Sequence, residues 1–132
     1  MPEPGSTATV LLTEDNDQLR GIFALVLRSA GYTVIEAPDG LRATELAAKQ
    51  LPNLILMDLS LPKMDGWEAT QRIRANPATA HIPVVALSAF DRSTDLERSR
   101  EVGCNSHLTK PIDPKDLLTA VRRSLEAPGG SA

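Results

Sequence analysis

The chain has 132 residues, of which 42% are hydrophobic and 23% are charged. This length and apolar fraction suit one compact domain with its own core and leave little room for a second folded module. Its 14 lysines and arginines against 17 acidic residues give a formal net charge of -3, which argues against binding nucleic acid through the phosphates.

The number of cysteines and the length of the apolar runs indicate the cellular compartment in which we expect the protein. Cys104 is the only cysteine, so the sequence allows no intramolecular disulfide and no cysteine cluster for zinc, and we expect a reducing cytoplasm. The longest apolar run, Ile22–Leu27, is far too short to cross a bilayer, and the segment from Met1 to Thr9 lacks the features of a signal peptide. We therefore expect no membrane insertion.

Strand-like and helix-like segments alternate through the first half of the chain. The pattern predicts, in order, a strand at Val10–Leu12, a helix capped by Asn16 or Asp17 and ended by Gly31, a strand at Tyr32–Glu36, a helix after Asp39-Gly40, and a strand at Leu54–Met57. The uninterrupted apolar run before Asp58 is typical of a central strand that is buried on both faces. Helical spacing predicts an inner face for the first helix made of Leu19, Ile22, Phe23, Val26 and Leu27.

The second half continues the alternation. It predicts a helix after Asp65-Gly66 with Trp67, Thr70 and Ile73, a strand at Pro83–Leu87, a helix at Asp91–Val102 closed by Gly103, a strand at Ser106–Thr109, and a last helix capped by Asp113 with Pro114 in its first position. The last helix would turn Leu118, Val121 and Leu125 inward. We expect one domain over residues 9–126, with flexible tails at residues 1–8 and 127–132.

Five strands alternating with five helices predict an α/β fold in which a doubly wound parallel sheet carries helices on both faces. In such sheets ligands bind beyond the carboxyl ends of the strands. The residues predicted at those ends are three acids, a hydroxyl and an amine: Glu14, Asp15, Asp58, Ser88 and Lys110.

Carboxylates gathered at one edge repel each other, by about 4 kcal/mol for a pair about 4 Å apart at an effective dielectric constant near 20. Proton uptake or a bound cation would offset this repulsion. Oxygen ligands favour Mg²⁺, with Mn²⁺ as a possible substitute. A zinc site lacks ligands, because His81 and His107 lie far apart in sequence and Cys104 stands alone.

A cation, a lysine and a hydroxyl beside a carboxylate suit phosphoryl transfer. Asp58 would act as the nucleophile and form an acyl phosphate. Lys110 would neutralise charge on the transferring oxygens, and Ser88 would donate a hydrogen bond to one of them. Each of these residues has an ordinary structural explanation when taken singly, and only their convergence favours the chemical one.

Four segments of the sequence, in order and each at a strand end, match the motifs of a known family. They are Leu12-Thr13-Glu14-Asp15-Asn16, the run from Leu56 to Gly66 that contains Asp58, Ala86-Leu87-Ser88-Ala89, and Lys110-Pro111. From Ala8 to Leu125 the chain resembles the CheY-like receiver domains of two-component response regulators, of the single-domain or hybrid-kinase type. The resemblance implies a flavodoxin-like (βα)5 fold with strand order 2-1-3-4-5.

The resemblance also implies roles for individual residues. Asp58 would accept a phosphoryl group from a sensor histidine kinase or a phosphotransfer protein. Mg²⁺ would be held by Glu14, Asp15, Asp58 and the backbone carbonyl of Ser60. The phosphoryl group would be stabilised by Ser88, the backbone of Ala89 and Lys110, and the Lys110-Pro111 bond would be cis. Ser88 and His107 would form the switch, with histidine where receivers often carry tyrosine or phenylalanine.

In the segment Asp91–Gly103, the predicted fourth helix offers only Leu96 and Val102 as large apolar residues, which suggests an element that shifts at low cost. In the resembled family, the fourth helix, fifth strand and fifth helix form the face that changes on phosphorylation. We expect this face to bind a downstream protein, with the chain a monomer or a phosphorylation-linked dimer.

Other functions fit the residues less well. An aspartyl-phosphate phosphatase usually has a second aspartate where this chain has Ser60, and it carries a substrate-covering cap. A flavodoxin-like cofactor binder would want a loop rich in Gly, Ser or Thr where this chain has Glu14-Asp15-Asn16-Asp17. A pseudo-receiver that only binds partners remains an alternative. We expect no enzyme in the ordinary sense, and either a stand-alone regulator or a receiver excised from a hybrid kinase.

Overall fold

The computed structural model describes residues 8–59, 65–88, 101 and 103–126. The strands are β1 (Thr9–Thr13), β2 (Thr33–Ala37), β3 (Leu54–Asp58), β4 (Val84–Ser88) and β5 (Ser106–Thr109). The helices are α1 (Asp17–Ser29), α2 (Gly40–Gln50), α3 (Gly66–Ala75) and α4 (Pro114–Glu126). The helix α4 is the fifth helix of the predicted series, because the helix predicted at Asp91–Val102 lies, apart from Glu101, outside the described residues.

The five strands form one parallel sheet in the order β2-β1-β3-β4-β5, which confirms the predicted fold class and strand order. The central strand β3 is buried along its whole length, and so is β4 beside it. In the register, Leu12 of β1 lies beside Leu56 of β3, and Asp58 lies beside Leu87 of β4. The carboxyl ends of these strands therefore meet at one edge, where the site residues lie.

The described core falls into two clusters, one on each face of the sheet. Side chains that alternate along a strand point to opposite faces, so β1, β2, β3 and β4 each supply both clusters, whereas β5 adds Leu108 to the first. The first cluster packs beneath α1 and α4 and includes Leu12, Phe23, Leu27, Leu56, Leu87, Leu117 and Val121. The second packs beneath α2 and α3 and includes Leu11, Ala43, Leu46, Ile55, Met57, Ala69 and Ile73.

Side-chain caps fix where the helices begin. The Asn16 side chain accepts a hydrogen bond of 2.9 Å from the Leu19 amide at the start of α1. The Asp65 carboxylate accepts one of 2.9 Å from the Glu68 amide at the start of α3. Each cap satisfies one amide that the first helical turn leaves without a partner. After α1 ends, Gly31 has a φ of 98°, which glycine adopts without the penalty that a side chain would bring.

The predicted inner faces of two helices are partly wrong. Ile22 was expected inside, but it is 54% exposed, and the buried residues of α1 are Phe23, Ala24 and Leu27. In α4, Leu117 is fully buried and Leu118 only partly, because Leu117 lies one turn before Val121. The small Ala24 takes the buried position next to Phe23, and hydrophobicity alone does not reveal that. No helix among the described residues is long and apolar enough to cross a bilayer.

Candidate functional site

Three of the predicted site residues are in direct contact at the carboxyl edge of the sheet. The Lys110 ammonium lies 2.7 Å from Oε1 of Glu14 and 2.9 Å from Oδ2 of Asp58. Both carboxylates are buried, with 1% of Glu14 and 2% of Asp58 exposed. Because water is largely excluded, these contacts are stronger than the same ion pairs on an open surface.

Strand geometry explains why these three side chains converge. Asp58 is the last residue of β3, and Glu14 and Lys110 directly follow β1 and β5. Side chains two positions apart on a strand project from the same face, so each of these residues shares a face with the residue two positions before it. Those earlier residues all belong to or pack against the first core cluster: Leu12, Leu56 and Leu108. The packed leucines thus set the direction of the polar groups that follow them.

Asp15 completes an acidic group with the two buried carboxylates. Glu14, Asp15 and Asp58 each offer an oxygen, and these oxygens all lie within 4.8 Å of one another. Asp15 is exposed, so the group opens to solvent on one side. Hard oxygen donors that are open to water suit Mg²⁺, which keeps several waters in its octahedral shell. The residues therefore fit the ion that the sequence predicts.

The proton affinities of the site reflect its burial. The pKa of Glu14 is raised from 4.5 to about 7, chiefly by desolvation; the bond from Lys110 lowers it, the hydrogen bond and charge of Asp58 raise it, and the bond from the Asn16 amide lowers it. Burial lowers the pKa of Lys110, but its contacts with Glu14 and Asp58 outweigh that effect and hold the pKa above its ordinary value. Lys110 therefore stays charged, and its single positive charge faces two buried carboxylates. The excess negative charge favours uptake of a proton or a cation.

Ser88 and His107 lie on the other face of the sheet from Lys110. His107 pairs in register with Ala86, which lies two residues before Ser88 on the same face of β4. Ser88 is 2% exposed, and its carbonyl accepts a hydrogen bond of 2.6 Å from the Lys110 amide. A backbone hydrogen bond thus links Ser88 directly to Lys110, which contacts the acidic group.

Gly66, the first residue of α3, lies against the backbone of Asp58. A Cβ atom at this position would collide with the carbonyl oxygen of Asp58 and lie 2.8 Å from the Cα of Leu59. The first residue of α3 must therefore be glycine for the helix to pack against the backbone of Asp58. The sequence signal for this close approach is a glycine directly after the N-cap residue Asp65, where a side chain would otherwise stand.

The Lys110–Pro111 peptide bond is cis. Ser60 and Ala89, which the resemblance assigns to the metal and the phosphoryl group through their backbones, lie outside the described residues. The roles of the individual residues remain predictions.

Comparison with known families gives a match to the response regulator receiver domain over residues 10–122. The chain belongs to the response regulator receiver family. The polar-differentiation response regulator DivK of Brucella ovis is 35% identical over 119 residues, which cover 90% of this chain and 97% of that protein. This match confirms the receiver resemblance.

Solved receiver structures have the same fold. The receiver domain of a sensor histidine kinase from Pseudomonas aeruginosa, with a magnesium ion coordinated in its active site cleft, is 35% identical with a TM-score of 0.86, over 92% of this chain and 99% of that one. A putative response regulator from Chloroflexus aurantiacus is 33% identical with a TM-score of 0.88, over 92% and 99%. The chemotaxis protein CheY4 of Vibrio cholerae is 29% identical with a TM-score of 0.85, over 89% and 98%.

Proposed function

We propose that this receiver is a phosphorylation switch in which Asp58 accepts a phosphoryl group, in a reaction that requires Mg²⁺. The observation that carries the proposal is the contact of one ammonium, Lys110, with the two buried carboxylates Glu14 and Asp58. An isolated buried carboxylate would be costly. Three acids around one amine instead form a site that is short of positive charge and open to a cation and a phosphoryl group.

The chemistry follows from these groups. A carboxylate oxygen of Asp58 attacks the phosphorus of a phosphohistidine, the new O–P bond forms an acyl phosphate, and the N–P bond breaks with its electron pair left on the imidazole nitrogen, which takes a proton. Lys110 neutralises part of the charge on the transferred phosphoryl oxygens, and Ser88 donates a hydrogen bond to one of them. Mg²⁺ bound by Glu14, Asp15, Asp58 and the Ser60 carbonyl would supply further positive charge to those oxygens.

The response is a change of packing. A phosphoryl group brings about -1.5 to -2 charge to the site. Ser88 turns toward it, and His107 on the same face of the sheet follows, which biases the predicted output face, to which β5 and α4 belong, toward its binding-competent state. A downstream protein recognises this face. The chain turns over no separate substrate, acts in the cytoplasm, and is a monomer or a phosphorylation-linked dimer.

The phosphodonor is a sensor histidine kinase or a phosphotransfer protein. The exposed apolar side chains of α1 form the surface to which this donor binds. Ile22 and Leu25 lie about one helical turn apart on α1 and are 54% and 69% exposed. The helix begins at Asp17, two residues after Asp15, so the helix that carries these side chains starts beside the acidic group. Exposed large apolar side chains beside a reactive site favour a protein partner.

The test is the intact mass of the protein after incubation with acetyl phosphate, with Mg²⁺ or with EDTA. We expect one added phosphoryl group in the presence of Mg²⁺, and none with EDTA or in Asp58→Asn. Asp116→Asn, which changes an exposed carboxylate in the first turn of α4, is the matched control and should be modified like the wild type. No adduct in the wild type with Mg²⁺ would overturn the proposal in favour of a pseudo-receiver. An adduct that persists in Asp58→Asn would move the acceptor elsewhere.

A further inference from the structure

Arg20 links α1, β2 and the acidic group through three separate hydrogen bonds. Its Nη1 donates to the backbone carbonyl of Glu14 at 2.8 Å, its Nη2 to Asp17 at 2.7 Å, and its Nε to Glu36 at 3.2 Å. The side chain is only 17% exposed. The planar guanidinium presents its donors in a fixed fork, so three acceptors together define its position closely.

The bond to the Glu14 carbonyl is the one that concerns the site. The Glu14 amide donates to the carbonyl of Ala37 on β2 at 3.1 Å, so with Arg20 on the carbonyl the backbone of Glu14 is held on both sides. The Glu14 carbonyl belongs to the peptide that joins Glu14 to Asp15. That peptide carries the ψ angle of Glu14 and the φ angle of Asp15, so it sets how the Asp15 carboxylate is oriented relative to Glu14.

We propose that Arg20 is a positioning residue for the metal site. Its guanidinium fixes the Glu14–Asp15 peptide and so keeps the oxygens of Glu14, Asp15 and Asp58 within the 4.8 Å that they share. The inference rests on the proposed function, in which these acids bind Mg²⁺. Mutation of a group that orients metal ligands without touching the metal commonly lowers metal affinity by about 10- to 100-fold.

The charge of Arg20 and its hydrogen bond to the Glu14 carbonyl predict opposite changes in Mg²⁺ affinity when the side chain is removed. Loss of this positive charge removes the ion pairs of Arg20 with Asp17 and Glu36, although Glu36 keeps its pair with Arg28. By charge alone, this loss would strengthen the attraction of Mg²⁺. Loss of the hold on the Glu14 carbonyl would weaken Mg²⁺ binding, because the acidic group must then be ordered by the ion itself. The sign of the change in affinity therefore separates the two roles.

Arg28 provides a matched control on the same helix. It pairs with Glu36 at 3.2 Å and donates to the carbonyl of Val34 at 3.2 Å, and within the described part of the chain it makes no hydrogen bond to Glu14. Arg28→Met thus removes the same charge and an ion pair to the same partner as Arg20→Met. Arg20→Lys keeps the positive charge but loses the planar guanidinium, whose several N–H donors bind the three acceptors together.

The experiment is calorimetric titration of Mg²⁺ into the wild type, Arg20→Met, Arg20→Lys and Arg28→Met, with thermal unfolding in EDTA to check that each variant is folded. We expect the dissociation constant to rise about tenfold in Arg20→Met, to rise by a smaller factor in Arg20→Lys, and to stay within about twofold of the wild type in Arg28→Met. If Arg20→Met does not fold, the affinity of Arg20→Lys tests the proposal. Lysine keeps the positive charge, so weaker Mg²⁺ binding in this variant would come from the lost hydrogen bonds that hold the Glu14 carbonyl.

Unchanged or tighter Mg²⁺ binding in Arg20→Met, or an equal loss in Arg20→Met and Arg28→Met, would overturn the role of Arg20 and leave the proposed function intact. A wild-type chain that binds no Mg²⁺ would overturn the proposed metal site and, with it, this inference.

Discussion

Replacing Glu14 with glutamine removes a buried carboxyl whose pKa is raised to about 7. Glutamine has nearly the same shape and stays neutral, so it imitates the protonated form of the acid at every pH. In the unfolded chain Glu14 ionises near its ordinary value of 4.5. The wild type and Glu14→Gln therefore differ in how their free energies of unfolding depend on pH when no metal is bound.

The sign follows from the direction of the pKa. A carboxyl whose pKa is raised on folding favours the folded state fully below pH 4.5, and this stability is lost as the pH rises through 7. The difference between these two values, at about 1.4 kcal/mol per pH unit, corresponds to about 3 kcal/mol. Between about pH 5 and about pH 8 the metal-free wild type should thus lose up to about 3 kcal/mol relative to the variant.

The assay is urea unfolding of both proteins in EDTA, followed by far-UV circular dichroism at several values between about pH 5 and about pH 8. The variant loses an acceptor for the Asn16 amide, which now donates to Glu14 at 3.1 Å, but this cost is the same at every pH. Other titrating groups are common to both proteins and cancel in the difference. At about pH 8, Mg²⁺ should stabilise the wild type more than the variant.

Glu45→Gln is the control. The Glu45 side chain is 55% exposed and pairs with Arg42 at 3.4 Å, so its removal should change stability by a few tenths of a kcal/mol at every pH. A difference between wild type and Glu14→Gln that varies by less than about 1 kcal/mol over this range would refute the reasoning. It would mean that the burial of Glu14 does not hold its carboxyl in the neutral form.

The remaining predictions concern packing and docking. The Oγ1 of Thr13 is buried without a hydrogen-bond partner among the described residues, so Thr13→Val should raise the free energy of unfolding by about 1 kcal/mol in urea titrations, and a loss would contradict this. Gly66→Ala should destabilise by about 1–3 kcal/mol in the same assay, because its Cβ meets the Asp58 carbonyl; an unchanged midpoint would show that α3 moves away freely. The double variant Ile22→Ser, Leu25→Ser should slow phosphorylation by a phosphorylated donor protein at least about tenfold while leaving the rate with acetyl phosphate unchanged, as followed by intact mass. Equal slowing with both donors would place the defect in the site rather than in docking.

Much of the fold is predictable because buried parallel strands are distinctive. The run Leu54–Met57 has no polar interruption, and the first polar residue after it, Asp58, ends the strand as expected. The strand ends then locate the acidic group. The order of the strands does not follow from the pattern alone, because several orders satisfy the same alternation, and it was implied by the resemblance.

Contacts made across elements were not predictable in the same way. The spacing of α1 allows either Ile22 or Ala24 on the buried face, and only the packing against the sheet selects the alanine. Arg20 looks like an ordinary surface residue in the first turns of a helix. Nothing in its spacing indicates that the guanidinium reaches back to the Glu14 carbonyl and forward to Glu36, since both contacts depend on how α1 lies against β1 and β2.

The charge balance of the site connects the proton, the cation and the phosphoryl group. One ammonium faces two buried carboxylates, and the deficit of positive charge is met by a proton on Glu14 or by a cation. A phosphoryl group on Asp58 would increase the deficit, because it brings about -1.5 to -2 charge in place of -1. Lys110 would then be attracted more strongly, and its amide is bonded at 2.6 Å to the carbonyl of Ser88. Phosphorylation would therefore act on the ends of β4 and β5 through a bond that already exists before the phosphoryl group arrives.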